Sequence, residues 1–298
     1  MDWPVDVALA RPVQQIPDGP WAYEIKLDGH RTVLWRTADG VRLQSRSGRD
    51  VTAAWGDLAA AGMALEPGTV LDGEAVIYMV DDQGQARISF EAAQSRAHSA
   101  PARARDLAGT YPATYVPFDI LARPAPGHSD DLVDLRARPY EERRQHLLDV
   151  LADIGPPIEP VWSTTDREQA LGWYEALRGT GVEGLVCKPL RSTYQPGRRA
   201  GWLKARHTDT VDAEIVGYTG PPRRPHTLAV QLPDGRIALS QRLDATLATV
   251  VAPRLVATAG RAETAAGDLY TPVARGTVVE VAAGTTRHPV VTVLRVRS

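Results

Sequence analysis

The stretch Glu24-Ile25-Lys26-Leu27-Asp28-Gly29-His30-Arg31 joins two apolar, β-rich runs, Trp21 to Leu27 and His30 to Arg36. Asp-Gly between alternating runs predicts a strand, a tight turn and a return strand. The stretch also holds the first of only three lysines. Lys26, Lys188 and Lys204 stand against 31 arginines. Arginine stays protonated in a protein and makes a poor nucleophile. A lysine can shed its proton, and its amine then attacks electrophiles. Chance in an Arg-rich chain accounts for one such lysine. Three lysines in motif-like surroundings call for a chemical explanation.

The 298 residues allow one large domain or two, and 43% apolar content is enough for a substantial core. A net charge of −2 does not advertise nucleic-acid binding, so any such binding must come from local patches. Cys187 is the single cysteine, which excludes a disulfide framework and a Cys-rich zinc site and suits a reducing cytoplasm. Asp2, Asp6 and Arg11 interrupt any signal-peptide pattern, and no apolar run reaches the length of a membrane span. A cytoplasmic protein without membrane contact is expected.

Periodicity and punctuation divide the chain. A third short strand is expected at Val41 to Ser45, and a helix over 52–62. Thr69 to Tyr78 reads as a β run interrupted at Asp72-Gly73. Helices are expected over 89–98 with Ser89 as cap, from Pro139 to about Ile154, and from Asp166 to about Arg178. Ala113 to Leu121, Gly184 to Lys188 and Trp202 to Arg206 read as strands. From about residue 209 the texture changes to roughly five short strands, separated by Gly/Pro turns, with one helix at 243–252. That pattern fits a small OB-type barrel. The expected class is α+β, with a boundary near His207 to Thr210.

Downstream sequence gives Lys26-Leu27-Asp28-Gly29-His30-Arg31 its context. Ser45-Arg46-Ser47-Gly48, Leu71-Asp72-Gly73-Glu74, Tyr115-Val116-Pro117-Phe118-Asp119-Ile120-Leu121, Glu183-Gly184-Leu185-Val186-Cys187-Lys188 and Trp202-Leu203-Lys204-Ala205-Arg206 follow in order. Together these six segments, spanning 24–206, resemble the ordered motifs of the covalent nucleotidyltransferases, and within them the small bacterial or phage ATP-dependent DNA ligases. The resemblance implies an adenylation (nucleotidyltransferase, ATP-grasp-like) domain of antiparallel sheets with helices at 1–208, followed by an all-β OB-fold domain at 209–298. It implies ATP and Mg²⁺ (or Mn²⁺) as cofactors and nicked duplex DNA as substrate. A monomer working in DNA repair or recombination, with a repair partner protein, is the matching expectation.

The same resemblance suggests roles. Lys26 would be the nucleophile that takes AMP. Glu74 and Glu183 are hard oxygen donors suited to Mg²⁺ and ribose hydroxyls. Lys188 and Lys204 would be point charges for phosphate oxygens. Phe118 offers a flat face to a purine, Glu24 an acceptor for the adenine amino group, and Arg31 a donor to ribose or phosphate. Arg46, Arg198 and Arg199 would meet the DNA backbone. From Gly184 to Thr208 there are six Lys or Arg and no acid, which suits phosphate neutralisation. Each residue also has a plain alternative. Phe118 serves equally as core, Glu74 and Glu183 as solvated acids, and the arginines as solvated faces. The chain departs from the family where an Asp-Lys pair usually closes the barrel; Arg295 and Arg297 are the cations there. An RNA ligase, a capping-type enzyme or a non-catalytic nucleic-acid-binding relative are the rival readings.

Overall fold

Trp21–Leu27 pairs with Val182–Pro189 and Ser163–Thr164, whereas His30–Arg36 pairs with Val41–Ser45 and Val70–Val80. The hairpin expected at Asp28-Gly29 is therefore not formed; the two residues carry the chain from one sheet to another. The reason is packing. Tyr23 belongs to a core with Leu185, Cys187 and Leu203, while Leu34 belongs to another with Leu43, Leu71 and Ile120. Gly29 makes the corner possible. A Cβ there would lie 2.4 Å from the Ala75 carbonyl oxygen and 2.9 Å from Glu74 Cγ, closer than any side chain tolerates.

The computed structural model describes the chain except for residues 14, 83, 126–127, 198–200, 208–209, 283–290 and 298. Two compact units, Met1–His207 and Thr208–Ser298, make up the chain. In the first, a five-stranded sheet runs in the order Arg11–Pro12, Leu203–Arg206, Val182–Pro189, Trp21–Leu27, Ser163–Thr164. Only its Arg11–Pro12 edge pairs in parallel. A six-stranded antiparallel sheet runs Val41–Ser45, His30–Arg36, Val70–Val80, Ala113–Ala125, His128–Asp134, with Ala86–Ile88 on the long central strand. Mixed antiparallel sheets and helices make the class α+β, as expected.

The Asp72-Gly73 interruption is also absent, because Val70–Val80 runs straight through it. Asp72 is buried against Arg31. Gly73 lies so close to Pro117 and the Tyr115 ring that a Cβ would sit 2.8 Å from each. Here Asp-Gly marks close approach inside a sheet rather than a turn. Both faces of this sheet are covered. Leu34, Leu71, Ile77 and Ile120 pack under Trp55, Leu58, Leu147 and Leu151 from the helical layer, and Val33, Trp35, Val70 and Leu121 pack with Val5, Val7 and Tyr194.

The helix starts follow their signals. Ser89 accepts from the Ala92 amide to cap Phe90–Ala97, and Asp166 accepts from the Glu168 and Gln169 amides to cap Arg167–Ala176. Tyr140–Leu151 carries Glu141 and Glu142 in its first turn. The Ala-rich tract near 101 is a helix as well, Pro101–Thr110, opened by a proline where its missing N–H costs nothing.

The second unit is a seven-stranded sheet with the helix Ala245–Val251. Its core gathers Ile215, Leu228, Val230, Val251, Val279 and Val293. Two strands exceed the expected five, Ala262–Glu263 and Leu269–Pro272; both are short and lack alternation. Arg295 pairs with Glu280 at 2.5 Å and Arg297 with Asp212 at 2.8 Å, so both arginines already have partners within their own sheet. Among the described residues no helix is long and apolar enough to cross a membrane.

Candidate active site

Strand periodicity and two irregularities assemble the site. Glu24 and Lys26 share one face of Trp21–Leu27 by the two-residue period. Val186 lies beside Glu24 and Lys204 beside Val186, forming a row across three strands. Gly184 lies opposite Lys26. The register shifts between Val182 and Gly184, so Glu183 is the extra residue of a bulge. Bulges re-aim side chains, and this one brings Glu183 Oε2 to 2.5 Å from Lys26 Nζ. In the six-stranded sheet, Arg31 stands beside Glu74. A second shift pairs Asp72 with Asp119 and Gly73 with Pro117, which leaves Phe118 as the bulged residue.

These faces enclose a cavity of about 360 Å³. Glu24, Lys26, Arg31, Arg46, Glu74, Phe118, Lys188 and Lys204 all line it, and Glu183 adjoins it through Lys26. Arg198 and Arg199 lie outside the described residues. Periodicity did not single out Trp202, Arg206, Leu9, Ala10 and Pro12, which line the cavity too. Trp202 meets Phe118 edge to face with ring centroids 6.3 Å apart. The N-terminal segment is fastened over the site. The Arg11 amide donates to the Trp202 carbonyl and the Val13 amide to that of Lys204.

Two of these residues are more engaged by the protein than expected. Arg31 donates from Nε and Nη2 to Asp72 at 3.0 and 2.6 Å and from Nη1 to the Ala8 carbonyl at 2.7 Å, while Tyr194 donates to the same Asp72 at 2.7 Å. Its guanidinium is thus held by the protein, which leaves it little to offer a ribose or phosphate beyond its face on Phe118, 5.2 Å from the centroid. Lys188 is fully buried rather than an open point charge. Its Nζ donates to the Phe118 carbonyl at 2.7 Å, pairs with Glu24 at 2.9 Å and stands 4.2 Å from the Trp202 ring centroid. Glu24 is only 2% exposed and accepts from the Tyr140 hydroxyl as well. Behind them Asp119 takes two hydrogen bonds from Arg143, at 2.7 and 3.0 Å. Lys204, by contrast, makes no ion pair among the described residues and keeps its charge for the cavity.

Burial sets the electrostatics. Desolvation pushes the Glu74 carboxyl up to about 7 against the pull of Lys26 and Arg31. Its one hydrogen bond among the described residues comes from the Gly29 amide, at 3.2 Å. Burial lowers Lys188 against the pull of Glu24. Lys204 is lowered by burial and then by Arg206, Lys26 and Arg46. Burial works to raise Glu183, but Lys26, Arg206 and Lys204 hold it below the ordinary carboxylate value. A nucleophile-capable amine, an acid in contact with it and unpaired positive charge share one apolar-walled cavity, the arrangement that group transfer from a phosphate requires.

Residues 6–206 match the family described as ATP dependent DNA ligase domain. The chain belongs to this family. Relatives of the ligase domain include DNA ligase C2 of Mycolicibacterium smegmatis, 38% identical over 216 residues, which takes in 72% of this chain and 57% of the relative. The multifunctional non-homologous end joining DNA repair protein LigD of Mycobacterium tuberculosis is 37% identical over 200 residues, 66% of this chain and 23% of the relative. The match thus spans little more than half of the first and a quarter of the second. Among solved structures, mycobacterial DNA ligase D complexed with ATP and MES has a TM-score of 0.52 and 27% identity over 98% of this chain and 95% of that one. The matched ligase-domain segment holds every described residue that lines the cavity.

Proposed function

We propose that the chain is an ATP-dependent DNA ligase that seals nicks in duplex DNA through a lysyl-AMP intermediate. The observation that carries this reading is Lys26 in a cavity of about 360 Å³, with Glu183 at 2.5 Å. Before attack the Lys26 ammonium sheds a proton, and Glu183 Oε2 is the acceptor in reach. The amine then bonds to the α-phosphorus of ATP and the bond to pyrophosphate breaks. Lys204 and Arg46, both on the cavity wall, offset charge that builds on the phosphate oxygens. Next, an oxygen of the 5′-phosphate at the nick displaces Lys26 and takes the AMP. Finally the 3′-hydroxyl attacks that phosphate, AMP leaves, and the backbone is closed.

Phe118 and Trp202 form the apolar wall for the adenine. Glu74 is a half-buried carboxyl with a single hydrogen bond among the described residues, the kind of donor a divalent cation satisfies, and Glu183 is the second acid near Lys26. Among the described residues no three His, Cys, Asp or Glu side chains gather into a cage. That fits Mg²⁺ (or Mn²⁺), which is held by one or two carboxylates together with nucleotide phosphates. When bound, the cation supplies charge neutralisation to the phosphates. Residues 1–208 would act as the adenylation domain and 209–298 as an OB-fold domain gripping the duplex. Arg198 and Arg199 would join Arg46 in meeting phosphates. The name of the LigD relative supports a repair setting, and a monomeric cytoplasmic enzyme working with a partner protein completes the reading.

The test compares wild type and Lys26→Arg on two substrates. The variant keeps the charge but loses the lone pair, so ordinary nicks with ATP remain open. A nick already carrying AMP on its 5′-phosphate is still sealed, because the amine has no part in that step. Sealing of ordinary nicks by Lys26→Arg would overturn the assignment.

A further inference from the structure

Lys188 and Tyr140 grip the two oxygens of Glu24 from different elements. Lys188 Nζ holds Oε2 at 2.9 Å, and the Tyr140 hydroxyl donates to Oε1 from the first turn of Tyr140–Leu151, 116 residues away in sequence. Tyr140 is 1% exposed and does not itself line the cavity, whereas Glu24 does. Nothing in the proposed transfer steps uses Tyr140. Burial, and then the Glu24 charge, raise its hydroxyl well above the ordinary tyrosine value, so it stays a donor. Each carboxylate has about four lone-pair sites. The two grips leave acceptor capacity and fix where it points.

Fixing matters because a carboxylate alone does not discriminate between purines. It accepts from the 6-amino group of adenine, and equally from the N1–H and 2-amino group of guanine if it can swing to reach them. An acceptor locked in place opposite the 6-position meets a donor in adenine and a lone pair in guanine, and a buried acceptor left facing a lone pair is strongly disfavoured. We infer that Tyr140 is a specificity-determining positioning residue, whose hydroxyl locks Glu24 as an acceptor-only reader of the adenine 6-amino group. This inference rests on the proposed lysyl-AMP chemistry and adds how the base is chosen.

The experiment measures the maximal single-turnover rate and the half-saturating concentration for covalent self-labelling by three α-labelled nucleotides: ATP, GTP and purine riboside triphosphate, which lacks the 6-amino group. Wild type and Tyr140→Phe are compared on the full chain, with the thermal midpoint checked for each. Expected for wild type is a preference for ATP over both others. Expected for Tyr140→Phe is a fall of about tenfold or more in the ATP preference, the size of one hydrogen bond to a charged group, carried chiefly by the half-saturating concentration. A general loss of structure would slow all three nucleotides alike and leave the ratios unmoved. Unchanged ratios in a folded variant that labels with ATP overturn the inference and leave the ligase reading standing. Equal labelling of wild type by ATP and purine riboside triphosphate overturns it without any variant. No label on wild type from any nucleotide overturns the ligase reading and the inference with it.

Discussion

At the scale of single residues, the site stores its cost in Glu74. Its carboxyl binds a proton more tightly in the fold than in the unfolded chain, with the value raised from 4.5 to about 7 by burial. The folded state therefore holds more protons than the unfolded one across that window. Stability falls as pH rises from about 4.5 to about 7, and the loss is complete above. Glu74→Gln removes the desolvated charge and keeps an oxygen for the Gly29 amide. We expect the variant to be more stable than wild type at pH 8 by on the order of 2 kcal/mol, with the difference vanishing toward pH 4.5, as measured by urea unfolding at each pH. A difference independent of pH would remove the electrostatic cause. The same substitution should weaken labelling by ATP, since the group that burdens the fold is the one offered to the cation. Which residues meet at the cavity was partly legible in the sequence. Lys26, Glu74, Glu183 and Lys204 carry chemistry that few other side chains supply, and their spacing puts them on strands. Tyr140 gave no such signal, because its meaning comes from Glu24, 116 residues away. The engagement of Arg31 was equally hidden, since nothing local says that Asp72 and Ala8 converge on it.

At the scale of elements, two bulges and one corner make the site. Glu183 and Phe118 reach it as bulged residues, and Lys26 reaches it because the chain leaves its sheet two residues later, at Asp28-Gly29. Local propensity reads Asp-Gly between apolar runs as a hairpin, and does so correctly wherever the two strands share a core. Here Tyr23 and Leu34 belong to different cores, and only long-range pairing decides between a hairpin and a crossing. Strands and helices were largely legible, because alternation, caps and an opening proline are local. Partners were not. The corner makes a sharp prediction. In Gly29→Ala the new methyl would lie 2.4 Å from the Ala75 carbonyl oxygen, a backbone atom with no flexible end to yield, and 2.9 Å from Glu74 Cγ and Val76 Cγ1. We expect a loss of about 2–3 kcal/mol in unfolding free energy, together with weaker ATP binding as Glu74 moves. An unperturbed melting temperature would mean that the two sheets tolerate separation and that the corner does not set the position of Lys26.

At the scale of the whole molecule, the described residues of the cavity all fall in Met1–His207, which has its own cores on both faces of its larger sheet. A protein of residues 1–207 is expected to unfold cooperatively and to bind ATP within about tenfold of the full chain, while sealing nicks far more slowly. Isothermal titration and gel-based sealing assays on the same preparation check both halves. Loss of ATP binding on truncation would make the second unit part of the nucleotide site. Charge at this scale says little: a net −2 conceals the run of six Lys or Arg without an acid from Gly184 to Thr208, and local patches govern contact with phosphates. The central claim is a covalent bond between one amine and AMP. It is tested most directly by incubating the protein with ATP and Mg²⁺, removing free nucleotide under denaturing conditions, and locating the adduct by intact mass and peptide mapping. One AMP per chain on Lys26, absent from Lys26→Arg, is the predicted result; no adduct, or an adduct on Lys188 or Lys204, would contradict it.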